Sequence, residues 1–454
     1  MWTLRFHDGT LVVEGATPEV LPDGFRYDDR IGWPRGPAWL YPDVVLRARQ
    51  DQIQTQDNAR KYGVLDSLKR LTERTPRPYQ AEALDAWRMA LRRGTVVLPT
   101  GAGKTLVAEL CIAEAKRSTM VVAPTLDLVG QWYERLKNAF GVPVGILGGG
   151  HHEIQDLTVS TYDSAWMHLP RYGDRFGLLV FDEVHHLPAP AYLVAAQSSI
   201  APFRLGLTAT YERPDQAERA LLDLVGPVVY RKEITELTGD FLASYETVIL
   251  TVHLSPEELE RYKEARKLFT SFLGQHRIPI GSPNGWQTFL RHASRSRAGR
   301  AALKAFQESR RIAHGTERKL DLLAELLAEE HGRPTLIFTN DNATAYKVSR
   351  EFLAPCITYQ TDIAERRALL TGFEEGRIPV LVTSRVLNEG VDLPSAEVAI
   401  VLSGTGTVRE HVQRLGRILR PGPNKQAVLY ELVAADTAEE RTSARRRNHE
   451  AYQG

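Results

Sequence analysis

A glycine-rich turn set between a buried strand and a helix constrains this chain more than any other feature. Residues 94–98 read as a short apolar strand, Pro99-Thr100-Gly101-Ala102-Gly103-Lys104-Thr105 is the turn, and residues 106–110 continue an apolar helical pattern. Such a turn closes backbone N–H groups around phosphate oxygens at the positive end of the helix. Lys104 is placed to reach the outer phosphates, and the Thr105 hydroxyl to ligate Mg²⁺. The general pattern has a glycine five residues before Gly103, where this chain has Leu98. A second apolar run, residues 177–181, reads as a central parallel strand ending on Asp182-Glu183. Ligands of open α/β sheets gather at the carboxyl ends of the strands. Asp182 is therefore assigned to the magnesium shell, and Glu183 to orienting and deprotonating a water. The pair of elements implies parallel α/β architecture and hydrolysis of a nucleoside triphosphate.

His185 and His186 follow directly, yet neither an H-E-x-x-H spacing nor a cysteine cluster accompanies them to suggest a metal centre. His186 is read as the histidine of a D-E-x-H pattern, coupling the phosphate site to the next element. A glycine-rich run at residues 145–150 precedes His151-His152-Glu153 rather than Lys-Thr. It reads as a flexible loop followed by a surface turn.

The ordered motifs from position 77 to 420 resemble those of a superfamily 2 helicase of the D-E-x-H kind, and in particular the XPB family in its short archaeal or bacterial form. Arg77-Pro78-Tyr79-Gln80 is similar to the element that reads adenine. That similarity makes ATP the expected nucleotide, with Thr100, Gly101, Ala102, Gly103, Lys104 and Thr105 around its phosphates. Pro124 and Thr125 in Ala123-Pro124-Thr125-Leu126, and Thr161 in Val159-Ser160-Thr161-Tyr162, resemble nucleic-acid contacts of a first lobe. Thr208-Ala209-Thr210 resembles the element coupling hydrolysis to strand movement. Leu336-Ile337-Phe338-Thr339 resembles a strand entering the second lobe. Asn388-Glu389-Gly390-Val391-Asp392 adds Gly390 and Asp392 to the nucleotide set. Gln413, Arg417 and Arg420 lie in the run from Gln413 to Arg420. By resemblance the two arginines, three residues apart on one helix face, address the γ-phosphate. The narrower family is carried by Asp182-Glu183-Val184-His185-His186-Leu187-Pro188, by Ala201-Pro202-Phe203-Arg204-Leu205-Gly206-Leu207 and by Gly416-Arg417-Ile418-Leu419-Arg420-Pro421. That family carries an Arg-Glu-Asp triad credited with opening duplex. Here the stretch is Arg213-Pro214-Asp215, with proline for the central acid and Arg213 and Asp215 left as DNA contacts.

Net charge is only +1, so charge informs only when sorted by region. Between Arg291 and Lys319 nine Lys or Arg stand against Glu308 and Glu317. This basic stretch follows a helical pattern over residues 256–273 that carries Tyr262, Phe269 and Phe272. The resemblance implies a thumb gripping duplex backbone there, with Arg295, Arg297 and Arg300 as phosphate contacts. A second basic cluster, Arg441 with Arg445-Arg446-Arg447, reads as an ordinary charged tail as readily as a contact. At the other end, residues 3–7 and 10–14 alternate around Asp8-Gly9, a hairpin turn. A helix is expected over residues 42–60.

The expected fold is thus α/β: two RecA-like parallel-sheet motor lobes with a small N-terminal α+β domain and a helical basic insert. The expected limits are 1–70 for a damage-recognition-like domain, 71–240 for the first lobe, 241–315 for the thumb and 316–454 for the second lobe. With 43% hydrophobic residues, two cysteines read as reduced core thiols, no span-length apolar run and no visible leader, the expectation is a cytoplasmic protein away from membranes. The resemblance implies an ATP- and Mg²⁺-dependent 3′–5′ DNA helicase or translocase in repair or transcription-linked opening. It would act on forked, single-stranded or distorted duplex DNA. Two alternatives stay open on sequence: an RNA-dependent ATPase, and an ATP-switched DNA clamp recruiting a nuclease partner.

Overall fold

The computed structural model describes residues 1–211, 219–237, 244–282, 284–384, 396–403 and 426–447. Met1–Pro99 and Gly103–Lys232 make one compact unit; the other runs from Glu233 onward and includes Thr100–Ala102.

The first unit opens with a five-stranded sheet in the order Arg26–Asp28, Trp33–Pro37, Thr10–Glu14, Trp2–His7, Thr55–Asp57. Its expected hairpin is present, and Asp8 and Gly9 both have positive φ, 44° and 73°, which suits a tight two-residue connection. The helix expected over residues 42–60 is shorter, Tyr41–Gln50. Gln52 enters the left-handed region at φ 53° and turns the chain back, so that Thr55–Asp57 pairs parallel with the first strand. The hairpin tip sits tightly on the motor sheet's helices: a Cβ on Gly9 would stand 2.7 Å from Ser198 Oγ. Ile200 shares the small domain's core, and Lys61 pairs with Asp174 at 2.7 Å.

The motor part of this unit is an eight-stranded sheet. Its order is Val228–Arg231, Arg93–Val97, Phe203–Thr208, Leu178–Asp182, Thr119–Ala123, Leu157–Thr161, Val144–Gly148, His151–His152. Every neighbouring pair is parallel except the last hairpin. The central strands Thr119–Ala123, Leu157–Thr161 and Leu178–Asp182 are buried along their whole length, as a sheet covered on both faces requires. The glycine-rich run expected as a flexible loop is in part a buried strand: a Cβ on Gly145 would run into the Glu153 carbonyl, so glycine there permits the hairpin's close return. His151-His152, expected as a surface turn, is the edge strand.

The second unit carries a six-stranded parallel sheet, ordered Ser244–Val252, Gln426–Ala434, Val398–Val401, Thr335–Phe338, Val380–Thr383, Cys356–Ile357. Ser244–Val252 therefore belongs to the second sheet although it precedes the helical insert. The insert, helices Pro256–Gln275, Gly285–Arg295 and Arg297–Gly315, interrupts the second lobe rather than separating the lobes, which corrects the expected limits at 241 and 316. Ser255 opens it with a reciprocal cap: Glu258 N–H donates to Ser255 Oγ at 3.2 Å and Ser255 N–H to Glu258 Oε2 at 3.1 Å. Phe269 and Phe272 pack with Phe289, Ala293 and Ala302 in the insert's own core, and Tyr262 joins Leu254, Ile312 and Ala434. These aromatics are core residues, so any polynucleotide contact by the insert falls to its exposed cations. Among the described residues no helix is long and apolar enough to cross a membrane.

Candidate nucleotide site and polynucleotide edge

Three neighbouring strand ends build the site. Arg93–Val97 leads into the phosphate loop, Phe203–Thr208 ends on Thr208, and Leu178–Asp182 ends on Asp182. Their parallel pairing puts the three ends side by side at the carboxyl edge, and Leu98 N–H donates to the Thr208 carbonyl at 3.0 Å. Gly101 and Gly103 take φ of 85° and 83°, where a side chain is strained. Gly103 is also crowded, since a Cβ would meet Gln80 Nε2 at 2.5 Å. Lys104–Ala115 follows as the helix whose N-terminus faces the loop, and Lys104 Nζ donates to the Leu98 carbonyl at 3.3 Å. Thr105 is half-buried at the same helix start.

Gln80, buried at 3% exposure, accepts from Arg77 N–H at 2.9 Å through Oε1 and donates through Nε2 to the Gly103 carbonyl at 3.5 Å. The element expected to read adenine is thus tied directly to the phosphate loop. Ala102 is buried, and Thr100 Oγ1 is buried without a hydrogen-bond partner among the described residues.

Asp182 is 8% exposed, and its carboxyl group is pushed up to about 6, first by burial and next by Glu183. Two donors oppose that shift: Trp132 Nε1–H to Oδ2 at 2.8 Å and Glu183 N–H to Oδ1 at 3.0 Å. Glu183 sits in the left-handed region at φ 47°, a conformation costly for a residue with a Cβ. Its Oε2 is buried, 3.4 Å from His185 Nδ1. A loop lined by N–H groups, an ammonium, a hydroxyl and two adjacent carboxylates suits a triphosphate with a hard cation. Thr105 and Asp182 are the residues that would hold Mg²⁺.

A link from this site to the Thr208-Ala209-Thr210 element runs through His185, next to the His186 read from the sequence. Counted from Asp182, His185 is the fourth position of D-E-x-H, and its Nδ1 lies 3.0 Å from Thr208 Oγ1. The Thr208 hydroxyl donates to the Thr210 carbonyl at 2.8 Å, so the His185 contact requires Nδ1–H as the donor. His186 lies tilted against the rings of His185 and Tyr162, with centroids 4.4 and 6.0 Å away.

The expected nucleic-acid contacts of this lobe stand along the same edge. Pro124 and Thr125 are half-buried, and Leu126 is 46% exposed. Thr161 is 8% exposed, and its Oγ1 caps the helix Tyr162–Tyr172 by accepting from Ser164 N–H at 3.1 Å. In the insert Arg291, Arg295, Arg297, Arg300 and Lys304 are all exposed. Lys319 leaves the basic set: it is fully buried, 2.7 Å from Glu439. Arg213, Asp215, Gly390, Asp392, Gln413, Arg417 and Arg420 lie outside the described residues. Trp132 and Tyr162 make hydrogen bonds to Asp182 that sequence reasoning passed over. Their signal was a hydrogen-bonding aromatic on the apolar face of a helix that follows a motif.

Comparison with known proteins agrees with this geometry. Residues 4–59 match the Xeroderma pigmentosum group B helicase damage recognition domain, 73–213 the Type III restriction enzyme res subunit, and 318–422 the helicase conserved C-terminal domain. The DNA 3′-5′ translocase XPB2 of Sulfurisphaera tokodaii is 40% identical over 98% of this chain and 99% of its own. The DNA 3′-5′ helicase XPB of Mycobacterium tuberculosis is 31% identical over 83% of this chain and 64% of its own. The solved Hef helicase domain of Pyrococcus furiosus shares the fold at 20% identity, with a TM-score of 0.51 over 81% of this chain and 97% of that one. The chain belongs to the XPB family of superfamily 2 helicases.

Proposed function

We propose that this chain is an ATP-dependent motor moving 3′ to 5′ on DNA, acting in repair or transcription-linked DNA opening in the cytoplasm. The observation that carries the reading is the side-by-side placement of the phosphate loop, Thr208 and Asp182-Glu183 on one sheet edge. Lys104 binds the outer phosphates, and the Gly101–Gly103 turn presents N–H groups to them. Glu183 holds the attacking water and takes its proton, and His185 passes the state of this site to Thr208 and Thr210. Mg²⁺, when bound, supplies neutralising charge for phosphoryl transfer. Two relatives named for 3′-5′ action on DNA favour a DNA motor over an RNA-dependent ATPase or a static clamp. ATP turnover measured with forked DNA, duplex, single strands and RNA tests this. Stimulation by RNA alone would overturn it.

The insert supplies sequence-independent grip. Changing Arg295, Arg297 and Arg300 together to Ala is expected to weaken DNA binding alike for all sequences. The logarithmic salt slope should flatten by about 0.9 for each phosphate that is no longer neutralised. A full salt titration by fluorescence anisotropy checks this, and an unchanged slope in a folded variant would reduce the three arginines to a solvated face.

Arg213-Pro214-Asp215 sets how the motor opens duplex. Proline fixes φ, removes a donor and carries no charge where the family has an acid. Pro214→Glu is expected to raise fork unwinding per ATP hydrolysed while DNA-stimulated turnover stays near the parent's. Equal unwinding by both proteins would mean that position 214 has no part in strand opening here.

A further inference from the structure

Asp182 is held by two aromatic donors, and each comes from a helix that starts at the polynucleotide edge. Strands Thr119–Ala123 and Leu157–Thr161 are adjacent and parallel, so helices Leu126–Phe140 and Tyr162–Tyr172 begin side by side at their carboxyl ends. Thr125 caps the first, its Oγ1 accepting from Leu128 N–H at 3.3 Å, and Thr161 caps the second. Two such N-termini in a row present N–H groups and positive dipole ends to a phosphate backbone. Two turns into the first helix, Trp132 is 3% exposed and donates its indole N–H to Asp182 Oδ2 at 2.8 Å. At the start of the second, Tyr162 is 1% exposed and donates its hydroxyl to the Asp182 main-chain carbonyl at 3.0 Å. One bond fixes the carboxylate and the other fixes the backbone that carries it.

We infer that Trp132 and Tyr162 are positioning residues through which polynucleotide seated on the Thr125 and Thr161 helix starts sets the geometry of Asp182. The inference rests on the proposed reading of that edge as the DNA surface. Both helices are packed by buried residues (Val129 and Leu136 in one, Ala165 and Leu169 in the other), so a displacement at either N-terminus is carried along a stiff element to its aromatic. Coupling of this kind is reciprocal: nucleotide with Mg²⁺ at Asp182 must change DNA affinity by the same factor that DNA changes nucleotide affinity.

The test is a binding ratio on the full chain. The Kd for a fluorescein-labelled fork is measured by anisotropy with and without Mg²⁺ and a non-hydrolysable ATP analogue. The parent is expected to show a ratio of about 5-fold or more, within the usual range of such couplings. Tyr162→Phe keeps the ring and removes the donor, while Trp132→Phe keeps an aromatic ring and removes the donor together with the indole's fused ring. Each should shrink the ratio, and the double variant should bring it close to 1 while still binding labelled nucleotide. A purely structural role would lower melting temperature and both affinities together but leave the ratio intact. Thr125→Asp, which preserves the cap and adds a charge that repels phosphate, tests the surface itself. If it weakens DNA binding and the aromatic variants keep the parental ratio, the coupling inference alone falls. If Thr125→Asp leaves DNA affinity unchanged, or the parent's ratio is 1, the edge does not transmit and the inference falls with it.

Discussion

Glu183→Gln should bind ATP as the parent does and hydrolyse it roughly 10²–10⁴-fold more slowly, the range that general-base catalysis contributes. The geometry separates binding from chemistry. Glutamine has the size and shape of glutamate, and the Glu183 backbone N–H that steadies Asp182 Oδ1 is untouched by the change. What disappears is a carboxylate able to take a proton, at a residue held at φ 47° with one oxygen buried and no hydrogen-bond partner among the described residues. Lys104→Ala should behave differently. It removes the ammonium from the start of the phosphate-loop helix, so nucleotide affinity and turnover fall together. Labelled-nucleotide titration beside steady-state hydrolysis distinguishes the two. Equal loss of ATP affinity in both variants would contradict the division of roles.

The parts of this site that were legible in the sequence are those in which a few consecutive residues complete the physics. A strand, a turn with two glycines at positive φ and a helix start need no distant partner to be recognised. The same holds for the Asp8-Gly9 hairpin. What was not legible depends on residues far apart in the chain. Ser244–Val252 pairs along its whole length with Gln426–Ala434, and nothing local to either strand says so. Its place in the second sheet moved the insert inside that lobe. Lys319 reads as one more cation in a basic run until Glu439 and the Leu402 carbonyl are found on its ammonium, each at 2.7 Å. A buried lysine needs such partners, and they come from far along the chain. The same blindness hid Trp132: an indole on an apolar helix face is ordinarily core, and only the sheet order brings it to Asp182.

Arg204→Leu is expected to destabilise the first unit by about 3–5 kcal/mol, because one side chain satisfies four carbonyls that have no water to fall back on. Arg204 is fully buried in strand Phe203–Thr208, and burial pushes its guanidinium well below the usual arginine range. Nε donates to Ala201 O at 3.2 Å, Nη2 to Ser199 O at 2.8 Å, and Nη1 to both Ala196 O at 2.8 Å and Leu224 O at 2.7 Å. Ala196 and Leu224 lie at the ends of helices Pro190–Gln197 and Arg219–Leu224, so one planar fork gathers two helix ends and the loop before its own strand. Leucine would relieve the cost of a buried charge but orphan all four acceptors, at about 1–3 kcal/mol each before relaxation. The acceptors outweigh the relief, which fixes the sign. Lysine, with three donors on one nitrogen and no fork, should recover only part of the loss. For a unit of this size the melting transition should fall by roughly 6–20 °C. Faster amide exchange should be confined to the two helices and the residues between Ser199 and Ala201. Strand Phe203–Thr208 also delivers Thr208 to His185, and Trp87 Nε1–H donates to the Arg204 carbonyl at 2.9 Å, so a loosened strand would reach the coupling element before it reached the phosphate loop. Unchanged melting and exchange in Arg204→Leu would mean that water replaces the guanidinium, and that the Ala201–Leu207 run is kept for its strand alone.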